Sequence, residues 1–195
     1  MDFEIASKIA QKYLKEIEQF SKPGYAMIAG SIRRQADFPA DIEIVTIFDS
    51  QKLHEAKSWL NKLKIHSQSA INLAKGDIGN KYISRLTLKG IKLDIFVPTP
   101  DNYGWILLLR TGSQYFNKRI IEELKVKKII SNNGFLYYGY RDFNNTPIVT
   151  AKIITLSEKT VFDLLGIEFI EPRDRNSSAL LTKLCLKRPK NNANN

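Results

Sequence analysis

The chain is poor in the residues that build disulfide frameworks and structural metal centres. Its one cysteine, Cys185, cannot form an internal disulfide, and two histidines, His54 and His66, leave no Cys/His cluster with zinc spacing. A reducing, cytoplasmic setting is the expectation, without structural zinc. Long apolar runs are also lacking: segments such as Trp105 to Leu109 are far too short to span a bilayer. The N-terminus carries Asp2 and Glu4 with no apolar stretch behind them, so neither a targeting segment nor a membrane partner is expected. Acidic residues are in deficit. Thirty Lys plus Arg stand against twenty Asp plus Glu in 195 residues, a formal net charge of +10. Such a balance suits an extended anionic partner, nucleic acid first, although charge alone also describes many basic proteins with no such role. The length allows one good core, or two small lobes sharing an interface and a cleft.

Ile5, Ile9, Tyr13 and Ile17 recur at helical spacing and predict an opening amphipathic helix that ends at Pro23-Gly24. Tyr25 to Ala29 reads as a short buried strand running into Gly30-Ser31. Ile42 to Phe48 reads as a second strand rich in β-branched residues, and His54 to Leu63 as a helix. Arg85 to Val97 has the pattern of a hairpin with Lys89-Gly90 at its tip, and Pro98-Thr99-Pro100 marks a lobe boundary. Beyond it, Asn102 to Arg110 and Tyr115 to Leu124 read as helices. Strands are expected around Gly134 to Tyr140 and Ile148 to Thr150, then a helix from Ser157 to Leu165 with Ser157 as its cap. Residues 176–195 hold Lys183, Lys187, Arg188 and Lys190 but no acidic residue, and read as a mobile basic tail.

Asp41 and Glu43 are two apart on an expected strand, which turns both carboxylates to one face. That pattern can ligate a cation, and it also suits a soluble edge strand. Asp94 is flanked by Leu93, Ile95 and Phe96, where an ionised carboxylate needs a partner or a metal. Gly30-Ser31-Ile32-Arg33-Arg34 places a glycine and a hydroxyl at a strand-to-helix turn, able to present backbone N–H groups and Arg34 to a phosphate chain. Three carboxylates beside such a cradle describe a two-metal phosphoryl-transfer site.

Gly30-Ser31-x-Arg33-Arg34, Asp41-x-Glu43 and Lys92-Leu93-Asp94-Ile95 resemble, in this order, the palm of the X-family DNA polymerases, the group that contains polymerase beta. Thr111-Gly112-Ser113 with Phe116-Asn117 is similar to that family's nucleotide-selecting segment. Ser157-Glu158-Lys159, Val161-Phe162-Asp163 and Glu171-Pro172-x-Asp174-Arg175 resemble its C-terminal end. The resemblance implies that Asp41, Glu43 and Asp94 are catalytic and hold two Mg2+ ions, with Mn2+ able to substitute. It implies that Gly30, Ser31 and Arg34 bind the triphosphate, that Gly112, Ser113 and Asn117 contact the incoming nucleotide, and that Lys92 approaches the primer terminus in the DNA.

Some positions depart from the family pattern. Glu43 replaces the usual second aspartate, and Pro39-Ala40 the usual Gly-containing turn. Leu109-Arg110 stands where the family commonly has Tyr-Phe against the sugar, which implies weaker discrimination between deoxyribo- and ribonucleotides. The chain starts at what resembles the first palm helix, so an N-terminal lyase domain and a helix-hairpin-helix clamp are expected to be absent, as in small viral members of the family. The expected fold class is α+β: a nucleotidyltransferase palm with a mixed β-sheet over residues 1–100, a smaller C-terminal nucleotide-selecting α/β lobe over 101–175, and the basic tail. The expected activity is short-gap-filling, template-directed DNA synthesis from dNTP on primer-template or gapped DNA, in DNA repair, by a monomer with a DNA ligase as a candidate partner. Template-independent or ribonucleotide-tolerant terminal transfer, and a DNA-binding protein with a decayed polymerase site, are the alternatives.

Overall fold

A computed structural model describes residues 1–65 and 81–186. The chain opens with helix α1 (Phe3–Glu18), whose first turn is capped by the Asp2 carboxylate accepting from the backbone N–H groups of Glu4 and Ile5. Its buried stripe is Ala6, Ala10, Tyr13 and Ile17, whereas Ile5 is exposed. The inward face is therefore one residue off the expected one in the first two turns, where small alanines let the helix lie close to the sheet. The helix ends before Pro23-Gly24, and that pair lies inside strand β1 (Ser21–Ile28) at an irregularity between Ser21 and Ala26. β1 is longer and more exposed than the buried strand read from Tyr25 to Ala29.

Gly30–Arg33 forms the single-turn α2, and β2 (Ile42–Phe48) follows as the most apolar strand. After α3 (Leu53–Leu60) come β3 (Lys64–Ile65), β4 (Tyr82–Leu86) and β5 (Lys92–Phe96). These strands make one mixed sheet in the order β1-β2-β5-β4-β3, with β2 and β5 parallel and the other pairs antiparallel. The α1 stripe, Ala56 and Leu60 cover one face together with Ile42, Ile44, Leu93 and Ile95. On the other face Val45, Ile47 and Phe96 pack with Tyr103 and Leu107 of α4 (Tyr103–Thr111).

The second half holds α5 (Gln114–Val126), β6 (Ile129–Asn132), β7 (Phe135–Arg141), β8 (Pro147–Ile153), α6 (Glu158–Leu165) and α7 (Ala179–Leu186). β6, β7 and β8 form an antiparallel sheet. Trp105, Phe116, Ile120, Phe162 and Leu165 fill the core between it and the helices. The α+β class is borne out. Strands β3 and β6 have no counterpart among the expected elements, and the tail expected from residue 176 is instead helical over α7, with Leu181 fully buried in the second core. Residues 187–195, with Lys187, Arg188 and Lys190, lie outside the described residues, as does His66. Among the described residues no helix is long and apolar enough to cross a membrane.

Candidate active site

The parallel pairing of β2 with β5 sets Glu43 directly beside Asp94, while Asp41 stands in the bend just before β2. Ser84 of β4 lies opposite Asp94 on the other side. Glu43 and Asp94 line a cleft of about 650 Å³ with Lys81, Tyr82, Lys92, Phe96 and Arg110. The two strand carboxylates expected to work together are therefore neighbours, and the third is close by.

Asp94 is buried, and each oxygen is occupied. Oδ1 accepts from the Tyr82 hydroxyl at 2.9 Å and the Ser84 hydroxyl at 2.7 Å, and Oδ2 accepts from Lys92 Nζ at 2.6 Å. The same ammonium lies 3.9 Å from Asp41 Oδ2. Burial alone would lower the Lys92 ammonium, but its hydrogen bond to Asp94 and the fields of Asp94, Tyr82 and Asp41 outweigh this and hold it raised. Glu43 is pushed up to about 7, first by burial and then by Asp41, with Asp94 adding repulsion and Arg110 and Arg34 opposing it. Asp41 is raised by burial and by Asp94, with Lys92 pulling the other way.

Hard carboxylate oxygens that burial first, and neighbouring carboxylates second, disfavour as anions at Glu43 and Asp41 are a donor set suited to divalent cations. Lys92 Nζ marks where positive charge between Asp41 and Asp94 is already favoured. The three carboxylates are not drawn into a closed ligand shell: among the described residues no group of three His, Cys, Asp or Glu is gathered tightly enough to hold a metal.

At the glycine turn, Gly30 has a positive φ of 64°, and a Cβ built there would overlap Glu43 Oε2. Only glycine lets α2 start against the Glu43 carboxylate. The Ser31 side chain has no hydrogen-bond partner among the described residues. Arg34, expected on phosphate, donates instead from Nη1 to the Thr111 carbonyl at 2.7 Å and from Nε to Asn176 Oδ1 at 3.0 Å. Burial lowers its pKa, with Glu43 opposing. Arg33 also reaches the second half of the chain, at Thr111 Oγ1 at 2.7 Å and at both oxygens of Glu158.

Beyond α4, and not among the residues that line the cleft, Ser113 caps α5 by accepting from the Phe116 N–H at 3.2 Å. Asn117 Nδ2 donates to the carbonyls of Leu109 and Gly112, while its buried Oδ1 has no partner. A Cβ on Gly112 would overlap Asn117 Oδ1. The Thr-Gly-Ser turn is thus built around Asn117, and both are tied to the C-terminal end of α4. Residues 106–176, from within α4 to the 3-10 turn that ends at Asn176, match the family model described as the DNA polymerase beta thumb.

The resemblance to X-family DNA polymerases is borne out. Over 189 aligned residues the chain is 25% identical to DNA polymerase lambda of Rattus norvegicus, covering 90% of this chain and 33% of that protein. Over 200 residues it is 25% identical to DNA polymerase lambda of Arabidopsis thaliana, with 89% and 37% covered. The chain thus spans about a third of the length of the relatives it matches.

Several residues matter in the structure that sequence reasoning had not singled out. Tyr82 and Ser84 hold Asp94 from β4, just upstream of Arg85, the expected start of the hairpin. Glu158, at the start of α6 in the segment that matches the thumb model, collects both Arg33 and Arg175. Arg175 is fully buried against the rings of Phe116, Phe162 and Phe169 and donates from Nη1 to Glu158 at 2.5 Å. Nothing in the spacing of Glu158 and Arg33 signals their pairing.

Proposed function

We propose that the chain is a template-directed X-family DNA polymerase that fills short gaps by transferring a nucleotide from dNTP to a primer 3′-hydroxyl. The observation that carries this reading is the placement of Glu43 beside Asp94 on parallel strands, with Asp41 adjacent, in a cleft that Arg110, from the segment matching the thumb model, also lines. Residues 1–100 serve as palm and residues 101–175 as the nucleotide-selecting lobe. The bond that forms joins the primer oxygen to the α-phosphorus, and the bond that breaks releases pyrophosphate. When bound at the three carboxylates, a pair of Mg2+ or Mn2+ ions would lower the pKa of the primer hydroxyl and offset triphosphate charge.

The chain's own contribution is positioning and charge. Tyr82 and Ser84 fix Oδ1 of Asp94, so its carboxylate keeps one orientation while Oδ2 stays on the cleft side with Lys92. As the primer hydroxyl approaches, Lys92 can leave Asp94 for the primer's terminal phosphate, since its ammonium stays charged throughout the neutral range. Gly112, Ser113 and Asn117 give the nucleotide a rigid wall. Gly30 and Ser31 bring backbone N–H groups to the Glu43 side of the cleft. Gapped DNA and dNTP are the partners, and a ligase would seal the product.

Primer extension on a one-nucleotide-gapped duplex with Mg2+, each dNTP offered singly, tests this reading. Addition of only the complementary nucleotide, abolished by Asp94→Ala, supports it; absence of addition on every substrate overturns it. A second reading, terminal transfer with relaxed sugar choice, is favoured by Leu109 and Arg110 in place of an aromatic pair. It would appear as addition to a single-stranded primer without template direction.

A further inference from the structure

The four arginines around the cleft differ in how their donors are used. Arg33, Arg34 and Arg175 are occupied by Thr111, Glu158, Asn176 and the Ile170 carbonyl. Arg110, in the last turn of α4, makes no hydrogen bond or ion pair among the described residues. Its guanidinium lies over the Phe96 ring, 4.0 Å from Cζ to the centroid, and Phe96 in turn stacks with Tyr82 at 5.2 Å. It lines the cleft and also an adjoining cavity of about 270 Å³ between β5, α4 and the β6–β7 turn. A stacked guanidinium keeps its in-plane N–H donors free and pre-aimed, with little side-chain entropy left to lose.

A polyanion entering this cleft meets three carboxylates. Of the cations that line it, Lys92 is engaged by Asp94, Lys81 donates to the Asn133 carbonyl, and Arg110 alone has its hydrogen-bonding capacity unspent. We propose that Arg110 is a phosphate-binding residue of the cleft, its guanidinium fork taking non-bridging phosphate oxygens of a nucleotide or of a nucleic-acid strand. This rests on the nucleotidyl-transfer reading for its biological ligand but not for its chemistry. Arg110 thereby supplies the free cation that Arg34, tied to Thr111 and Asn176, does not.

The test uses Arg110→Gln, which keeps a planar group over Phe96 without charge, and Arg110→Lys, which keeps charge without the fork. Inorganic tripolyphosphate is titrated by calorimetry, a gapped oligonucleotide duplex by fluorescence anisotropy at several salt concentrations, and Mn2+ by electron paramagnetic resonance. Melting curves check that the variants fold. The expected result is that Arg110→Gln weakens one phosphate probe about tenfold, Arg110→Lys restores part of it, and Mn2+ affinity is unchanged or tighter. Loss confined to tripolyphosphate assigns the incoming triphosphate, and loss confined to DNA, with a shallower salt slope, assigns a strand phosphate. Wild-type affinity retained for both probes, wild-type protein that binds neither, or a parallel loss of Mn2+ that betrays an effect through Glu43, overturns the proposal. Primer extension on the same preparations separates the two ideas: phosphate binding that depends on Arg110 in a protein that extends nothing would leave this inference standing and the polymerase reading not.

Discussion

Arg33 and Glu158, 125 positions apart in the chain, are joined by a two-pronged ion pair with N–O distances of 2.9 and 2.7 Å. One partner sits on the glycine turn beside Glu43 and the other opens α6, so the pair ties the walls built by the two halves of the chain to each other. Arg175 approaches the same carboxylate from the second core, and without Glu158 two guanidiniums would face each other with nothing between them. Breaking a buried pair by removing one partner typically costs about 3 to 5 kcal/mol. Glu158→Gln is expected to lower the melting temperature by roughly 10 °C at this chain length. Lys159→Ala, which removes an exposed pair with Asp163, should leave it nearly unchanged. Equal melting of the two variants would show that the junction does not hold the walls together.

Charge within the site sets a second expectation. Glu43 has a folded pKa of about 7 against an ordinary value of 4.5. Between those values the folded state binds more protons than the unfolded one, so the contribution of Glu43 to metal-free stability falls as pH rises through that window. Glu43→Gln, which does not titrate, should therefore be the more stable protein in EDTA at pH 8, by on the order of 1 to 3 kcal/mol after allowance for solvent screening. The gap should close near pH 4.5. Added Mn2+ should stabilise the wild type more than the variant. Melting curves across pH decide it, and a gap independent of pH would show that Glu43 carries no such strain.

The two glycines of the site should not tolerate a methyl group, for different reasons. At Gly30 a side chain meets both a positive φ and the Glu43 carboxylate, so Gly30→Ala should displace Glu43 and reduce Mn2+ affinity as well as stability. At Gly112 the backbone is extended, and the obstruction comes from Asn117 and Phe116. Gly112→Ala should spare Mn2+ affinity while raising KM for dNTP about tenfold or more, because a misplaced wall costs orientation. Paired Mn2+ titrations and steady-state kinetics distinguish the cases; loss of Mn2+ binding in Gly112→Ala would contradict the division of labour between the walls.

The palm-like half of the site was legible because its logic is local. Alternation turns Asp41 and Glu43 to one face, and the Lys89-Gly90 tip makes β4 and β5 neighbours; the turn is one residue longer than that pair, which brings Ser84 rather than Arg85 to Asp94. Strand β6 was missed although Asn133-Gly134, both with positive φ, forms the two-residue turn that pairs Asn132 with Phe135, a strong hairpin signal. Helix α7 was hidden by a basic composition whose apolar members, Leu181 above all, find their partners only in the second core. The partners of Arg33 and Arg34 were not legible. Side by side in sequence, Arg34 reads as the phosphate ligand of the two, and only the tertiary position of Thr111, Glu158 and Asn176 gives both the hydrogen bonds they make. For the same reason Arg110 passed as a mere departure from an aromatic pair.

That departure bears on sugar choice. Leu109 packs toward the second core, and its carbonyl is held by Asn117 Nδ2 at 2.7 Å, so no aromatic ring is offered from this position. Arg110 lies on Phe96 and presents a donor edge rather than an apolar surface. A ribose 2′-hydroxyl meeting this wall would find hydrogen-bond donors where an aromatic ring would exclude it. The expected preference for dNTP over rNTP in kcat/KM is on the order of tenfold, the scale set by a pocket that tolerates an added hydroxyl. Arg110→Phe should raise it by putting an apolar ring where the guanidinium lies, with Leu109→Tyr only as a control, since Leu109 packs toward the second core. Matched single-nucleotide incorporation with each complementary pair gives the ratio directly. A wild-type preference of about a thousandfold or more would require a steric gate elsewhere in the thumb segment, and the exchange at Arg110 would then leave the ratio unmoved.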